Sequence, residues 1–491
     1  MLTSADYSVI LVYIGILVIL SIVAKRMVKN VEDYFSGGKR VPWWLAAISH
    51  HMSGYSAYVF VVLAPLAYKS GFTAWMFYSP GLFIAMVIGA WVWAPRWAKM
   101  KILTPIEFLE KRYNNVVRQL FAWSGIGLKF IDEGVKLYAL SVVIYVVTGW
   151  PLPEIIIGVG IVTVLYLFFG GLWATILTDF MQFLVQFAIT LVIIPFVFKL
   201  TGGVGGMVEQ MRPESRIFFD AEITPWFLVV YFFVMLLLYN GGTWGLAQRF
   251  YSIGKPKDAK KAALLSASLF LIYPLAVFIP IWASPSIVGA VANSEHIYIE
   301  VAQKILSSIS PGLMGLFVAS MFAATMSMID SDLNSLAAVF TKDIYQRNFR
   351  PNSSDKMLLR VGMIATAVFG FFTIAFALIT IEAESALSLV IEWYSAISGP
   401  IVLPTMLGIV FIKPTWRGAI FSWVAGFAAF IFFKYGIPAI WGIETKYALY
   451  VGMELLVSFT VFMLDGKLSR RSKEKEAEVQ EFFEQFDELN K

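Results

Sequence analysis

Apolar residues run along this chain in long blocks, and polar residues fall between the blocks or, at a few places, in the middle of one. Each block approaches the ~20 residues that an α-helix needs to cross the hydrocarbon of a bilayer. Period-two alternation is absent, and a lipid-facing sheet would have to close into a barrel with alternating polar residues, so helices are the reading that satisfies the backbone. The pattern predicts an all-α polytopic membrane protein. Its spans fall at 8–24, within 37–69, and at 75–95, 120–147, 153–169, 173–198, 226–249, 263–282, 312–335, 361–379, 393–412, 419–433 and 449–463, thirteen in all.

Three blocks carry polar centres. The second span contains Ser49-His50-His51-Met52-Ser53-Gly54-Tyr55-Ser56 and then Tyr58, too many polar groups to face lipid. Gly54, flanked by hydroxyls that compete for backbone groups, predicts a break there, and a broken membrane helix exposes carbonyl oxygens that ligate ions. The seventh span is interrupted at Asn240-Gly241-Gly242-Thr243. It lies five spans after the second, and an odd offset gives the two opposite orientations, as an inverted repeat and alternating access around a central site require. The ninth span has Asp330 and Asp332 in its second half, at a spacing that sends them to different faces. Asp330 is expected on an ion pathway or paired with a basic residue of another helix.

Composition agrees: of 491 residues, 59% are hydrophobic and 14% charged, unlike a soluble domain. The absence of cysteine excludes disulfide and thiolate chemistry. A net charge of +5 would suggest a nucleic-acid partner in a soluble protein, but here the basic residues cluster in alternate loops and report topology. Lys25, Arg26 and Lys29 follow the first span without a small-residue cleavage pattern, so that span reads as retained. The expected topology is N-terminus extracellular or periplasmic and C-terminus cytoplasmic, in a plasma membrane. The divisions are 1–41, an extra helix and cytoplasmic loop; 42–198, a first repeat; 199–224, an extracellular loop; 225–412, a second repeat; 413–464, two further helices; and 465–491, a cytoplasmic tail. The tail's basic patch, Lys467 to Lys475, is expected near anionic lipid.

The fourth span is the least apolar. Its spacing pairs Lys129 with Glu133 and Asp132 with Lys136 one turn apart, either as a structural lattice or as part of gating. His50 and His51 point about 100° apart on a helix, so at most one faces a cavity. His296 falls in a loop and is expected at the solvent.

Several stretches resemble the sodium:solute symporter family, which includes sodium-coupled carriers of sugars, proline, sialic acid, pantothenate and iodide. They are Asp33-Tyr-Phe-Ser-Gly-Gly-Lys-Arg-Val-Pro-Trp-Trp44, Gly170-Gly-Leu-Trp-Ala-Thr-Ile-Leu-Thr-Asp-Phe-Met-Gln182, Gly245-Leu-Ala-Gln-Arg249, Asp332-Leu-Asn-Ser335 with Phe340-Thr-Lys-Asp-Ile-Tyr345, and Gly399-Pro-Ile-Val-Leu-Pro404. The resemblance implies a five-plus-five inverted-repeat fold with one helix before it and two after.

It also implies a sodium site formed by carbonyls near Met52 and Tyr55 with Ala324 and Ser327, and Asp179 near the sodium route. Met328 stands where a second hydroxyl is usual, and a thioether suits a hard cation poorly. The implied substrate positions are Ser53, Gly54, Ser56, Tyr58, Tyr78, Tyr239, Asn240, Tyr394 and Ser398. A tyrosine-rich ring with few charges suits a neutral or weakly polar solute, with a sugar or polyol favoured. The expected function is sodium-coupled import of a small organic solute. The alternatives are a proton-coupled or uncoupled carrier, or a symporter for an amino acid or carboxylate. No catalytic residues, cofactor beyond the transported sodium, or nucleic-acid partner are expected, and the protein is expected to be a monomer or weak homo-oligomer among membrane lipid.

Overall fold

A computed structural model describes residues 2–55, 59–60, 63–216, 218–219, 223–289, 291, 293–382, 396 and 398–489. Helices dominate, and the sole bridge outside them among the described residues joins Arg40 to Ile253. The helices used below are α1 (Ser4–Lys25), α2 (Trp43–Ser53), α3 (Ala64–Ser70), α4 (Phe72–Val92), α5 (Phe108–Arg112), α6 (Asn115–Thr148), α7 (Leu152–Thr201) and α8 (Pro225–Leu237). They continue with α9 (Trp244–Tyr251), α10 (Pro256–Ile272), α11 (Leu275–Trp282), α12 (Ile297–Leu306), α13 (Leu313–Val339), α14 (Asp355–Thr380), α15 (Leu403–Gly408), α16 (Trp416–Ile431), α17 (Tyr447–Leu468) and α18 (Lys473–Glu484).

Among the described residues, nine helices are long and apolar enough to cross a membrane. α6 is longer than most of them at 34 residues, and its charges keep it out of that set. α7 holds two predicted spans joined at Gly171, whose φ of +52° and close approach to the Tyr34 carbonyl, 2.5 Å from where a Cβ would stand, require glycine.

The centre of the molecule is α13, which is buried at every position from Phe317 to Val339. A helix enclosed on all sides can be polar only where neighbours answer its polar groups. α1, α2, α6, α7, α9 and α14 pack around it. The second span stops after Ser53, and helix resumes through α3; the seventh leaves α8 through a π-turn at Leu238–Gly242 and restarts as α9. Both predicted interruptions are therefore present. Gly241 has φ +125°, and a Cβ there would meet Trp97 Nε1 at 2.4 Å.

The basic loops meet at one end. Lys39 Nζ donates to the Met100 carbonyl at 2.8 Å, Arg118 pairs with Glu110 at 2.6 Å and with Asp343, and Arg347 pairs with Glu110. Part of the tail joins them. Lys475 Nζ donates to the carbonyls of Glu110 and Lys111 at 3.1 and 2.9 Å, and Arg471 to those of Ile412, Lys413 and Pro414. Val479, Phe482 and Phe486 are buried, with Phe482 stacked on Phe108 of α5 at 6.0 Å. The physical reason is that α18 has an apolar face wide enough to dock on α5, and helix ends offer free carbonyls to nearby cations. Lys467, Arg470 and Lys473 remain exposed.

Two outcomes follow. Gly241→Ala forces a side chain into a left-handed conformation against Trp97 and should lower stability by roughly 1–3 kcal/mol, read as a fall in the thermal midpoint of the purified protein. Phe482→Asp should free α18, so that trypsin cuts the 470–475 segment faster than in the unmodified chain while the rest of the protein resists as before.

Candidate functional site

α2 ends because its last turn closes on itself: the N–H groups of Gly54 and Tyr55 donate to the carbonyls of His51 and Met52 at 3.1 and 3.2 Å. No side chain fits at Gly54, where a Cβ would stand 2.6 Å from Phe270 and 2.8 Å from Tyr239. The Gly54 carbonyl, released from the helix ladder, accepts the hydroxyls of Tyr78 at 3.2 Å and Tyr239 at 3.1 Å. Gly54, Tyr78 and Tyr239, three of the expected substrate positions, thus meet at one point, and Phe270 of α10 joins them. Asn240 has a different commitment. Its Nδ2 donates to the carbonyls of Ala85 and Leu236 at 3.0 and 2.9 Å, and its own carbonyl accepts from Trp97, bracing the π-turn against α4. Ser56, Tyr58 and Tyr394 lie outside the described residues, as does the side chain of Ser398.

The two histidines differ. His50 Nε2 faces the Tyr239 carbonyl at 3.1 Å and donates to it, while Nδ1 shares a 2.8 Å hydrogen bond with Ser266, so the ring ties α2 to the second interruption and to α10. His51 is equally buried, but neither of its nitrogens has a hydrogen-bond partner; it stacks on Tyr55 at 5.4 Å inside a ring of Phe183, Phe270 and Tyr273. His296, half-buried, pairs with Asn293.

Beneath Gly54 lies a polar network centred on Arg249 of α9, fully buried. Its Nε donates to Ser49 of α2 at 2.8 Å, and its Nη2 reaches Asp179 of α7 at 3.3 Å and Ser331 of α13. Ser49 also donates to Asp179. Ser331 donates to the Ser327 carbonyl at 2.6 Å and shares a 2.6 Å hydrogen bond with Ser53. One guanidinium therefore ties both interrupted spans to α7 and α13. Asp179 sits well inside α7 beyond the Gly171 bend, so it does not cap a helix start. Its Oδ1 and the Ser327 hydroxyl face each other and pair with nothing else. Met52, Tyr55, Ala324 and Ser327 are all fully buried, and α2 packs on α13.

The two aspartates of α13 diverge as their spacing requires. Asp330 lies near Tyr13 of α1, together with Asp179, whereas Asp332 takes the pairing with a basic residue of another helix, at Lys129 of α6. Reading the sequence by itself did not assign Arg249, Ser49, Ser331 or Phe270 to the site. The one signal was Ser331, a turn beyond Ser327 on the same face of its helix.

Removing the Arg249 charge strands Asp179 inside the membrane. Arg249→Met should cost roughly 3–5 kcal/mol, and adding Asp179→Asn should recover most of it; thermal unfolding of the three purified variants in detergent checks both.

The sodium:solute symporter family model matches residues 34–426. The chain is 27% identical over 470 residues to the sodium/glucose cotransporter of Vibrio parahaemolyticus, covering 88% of this chain and 86% of that one. It is 26% identical over 469 residues to the sodium/sialic acid symporter of Aliivibrio fischeri, covering 88% and 90%, and 25% identical over 423 residues to sodium-coupled monocarboxylate transporter 2 of Homo sapiens, covering 82% and 67%. A solved outward-open, substrate-bound sodium-coupled sialic acid symporter superposes with a TM-score of 0.81 at 22% identity, over 96% of this chain and 99% of that one. The fold is thus an all-α, multi-pass membrane fold related to the five-plus-five inverted-repeat symporters. The chain belongs to the sodium:solute symporter family: it is a sodium-coupled secondary transporter of a small organic solute, and not an enzyme.

Proposed function

We propose that the solute is a small organic acid, bound where the two interrupted spans meet and carried inward with sodium. The observation that carries this reading is the convergence of the Tyr78 and Tyr239 hydroxyls on the Gly54 carbonyl. Both hydroxyl protons are engaged by that carbonyl in this conformation; a carboxylate entering between them would replace it as acceptor, with Phe270 beside Tyr239 as the surface for its apolar remainder. A sugar asks for paired amide and carboxylate partners, and the side chains that meet at Gly54, those of Tyr78, Tyr239 and Phe270, include neither. Relatives whose names specify sialic acid and monocarboxylates support an acid over the sugar expected from sequence.

The sodium ion is assigned to the carbonyls near Met52, Tyr55 and Ala324 with Ser327 and Asp179. Support comes from two buried oxygens, Ser327 Oγ and Asp179 Oδ1, that face each other and pair with nothing else, an arrangement a cation between them would satisfy. Thirteen spans, with the N-terminus outside and the basic end in the cytoplasm, complete the reading.

A thermal-shift screen of the purified protein against small organic acids and hexoses, in sodium chloride or choline chloride, tests it. An acid should stabilise the protein only with sodium, by about 2.7 kcal/mol at a hundred times its Kd. Ser327→Ala and Asp179→Asn should move the sodium requirement to higher concentration. Stabilisation by hexoses alone would overturn the choice of solute, and unchanged sodium dependence in both variants would remove these residues as ligands.

A further inference from the structure

Four charges of α6 and one of α13 form a single buried group away from the Asp179 carboxylate. Lys129 Nζ lies 2.7 Å from Asp332 Oδ2 and 3.1 Å from Asp132 Oδ2. Lys136 Nζ lies 2.7 Å from Asp132 Oδ2, 2.7 Å from Glu133 Oε1 and 3.1 Å from Asp332 Oδ2. The i,i+4 pairs expected from sequence are present, but Asp332 arrives from another helix and changes the charge count. Three carboxylates now share two ammonium groups, and the most exposed side chain of the five is only 8% accessible. Fully ionised, the group carries one uncompensated negative charge within the membrane, an arrangement proteins avoid by neutralising a member or binding a cation.

Among the described residues, no neighbouring cation outside the group is given over to it. Arg249 of α9 acts on Asp332, but its own charge answers Asp179. Tyr239, at the second interruption, faces Lys136 and Asp132 as a neutral hydroxyl. α14 meets α6 at Gly134 through Phe376 and Ala377, and Arg118, Glu110 and Asp343 pair among themselves at the far end of α6.

The free oxygens identify the ligand. Glu133, with no accessible side-chain surface, leaves Oε2 without a hydrogen-bond partner, and Asp332 leaves Oδ1 likewise. The carboxyls of Asp132, Glu133 and Asp332 each place an oxygen within 4.8 Å of the others, and those of Glu133 and Asp332 lie within hydrogen-bonding reach. Two facing carboxylates repel unless something positive stands between them. A metal ion is a poor candidate, because the ammonium nitrogens already occupy Asp132 Oδ2, Glu133 Oε1 and Asp332 Oδ2, and sodium or calcium asks for more oxygens than the three left over.

We propose that Glu133 and Asp332 hold one exchangeable proton between them, a proton site distinct from the sodium site at Ser327 and Asp179. α9 closes over it: a Cβ at Gly245 would stand 3.0 Å from Asp332 Oδ1. The exchange of this proton during transport rests on the symport reading above; its presence at rest does not.

Infrared spectroscopy of the purified full-length protein at neutral pH tests the proposal. A protonated-carboxyl C=O band that shifts in D2O should be present, weaken in Glu133→Gln and in Asp332→Asn, and persist in Glu110→Gln. Glu133→Gln, which mimics the protonated acid, should keep the thermal midpoint of the unmodified protein, whereas Lys136→Met should lower it. A band unchanged in both variants, or a Glu133→Gln midpoint as low as that of Lys136→Met, would overturn the proton. So would a band removed by sodium chloride but not by choline chloride, which would make the occupant sodium. A missing sodium-dependent thermal shift with the band intact would instead count against the transport reading alone.

Discussion

The Arg249 guanidinium is the contact on which the architecture turns. A fully buried cation inside a membrane protein is tolerated only where carboxylate and hydroxyl partners answer it. Its partners come from α2, α7 and α13, and its backbone belongs to α9. The two interrupted spans are therefore fastened to each other and to the central helix by charge as well as by packing. Any rearrangement that separates α2 from α9 must re-partner this group, which makes the network a natural discriminator between conformations.

Close approach of backbone is the companion constraint. Gly54 and Gly241 mark the two interruptions for different reasons. Gly54 admits Phe270 and Tyr239 to within contact of its α-carbon, whereas Gly241 holds a left-handed conformation against Trp97. Both leave carbonyls that side chains from neighbouring helices cap: Gly54 by Tyr78 and Tyr239, and Asn240 by Trp97. Breaking a helix in hydrocarbon is affordable only when the freed groups are satisfied nearby, and here aromatic hydroxyl and indole donors do so.

Much of the fold was legible because hydrocarbon imposes simple rules. Among the described residues, nine of the apolar blocks are helices long enough to span, and the breaks at Gly54 and at 240–243 and the gathering of basic loops at one end follow from glycine and charge. The candidate site was less legible. Tyr78, Tyr239 and Asn240 could be named as candidates but not the hydrogen bonds that hold them, and Arg249 drew no role because its partners Asp179 and Ser49 lie 70 and 200 residues away.

By itself, the sequence determined that this is a membrane-spanning, helix-only chain with two polar-centred, glycine-broken spans, since those conclusions depend on local periodicity and on the cost of unsatisfied backbone in lipid. Only the tertiary structure decided which polar groups answer one another. Lys129 and Lys136 read as balanced pairs along one helix until Asp332 joined them from another. Charge balance inside a membrane is a property of neighbours in space, and linear spacing carries it only within a turn or two of helix.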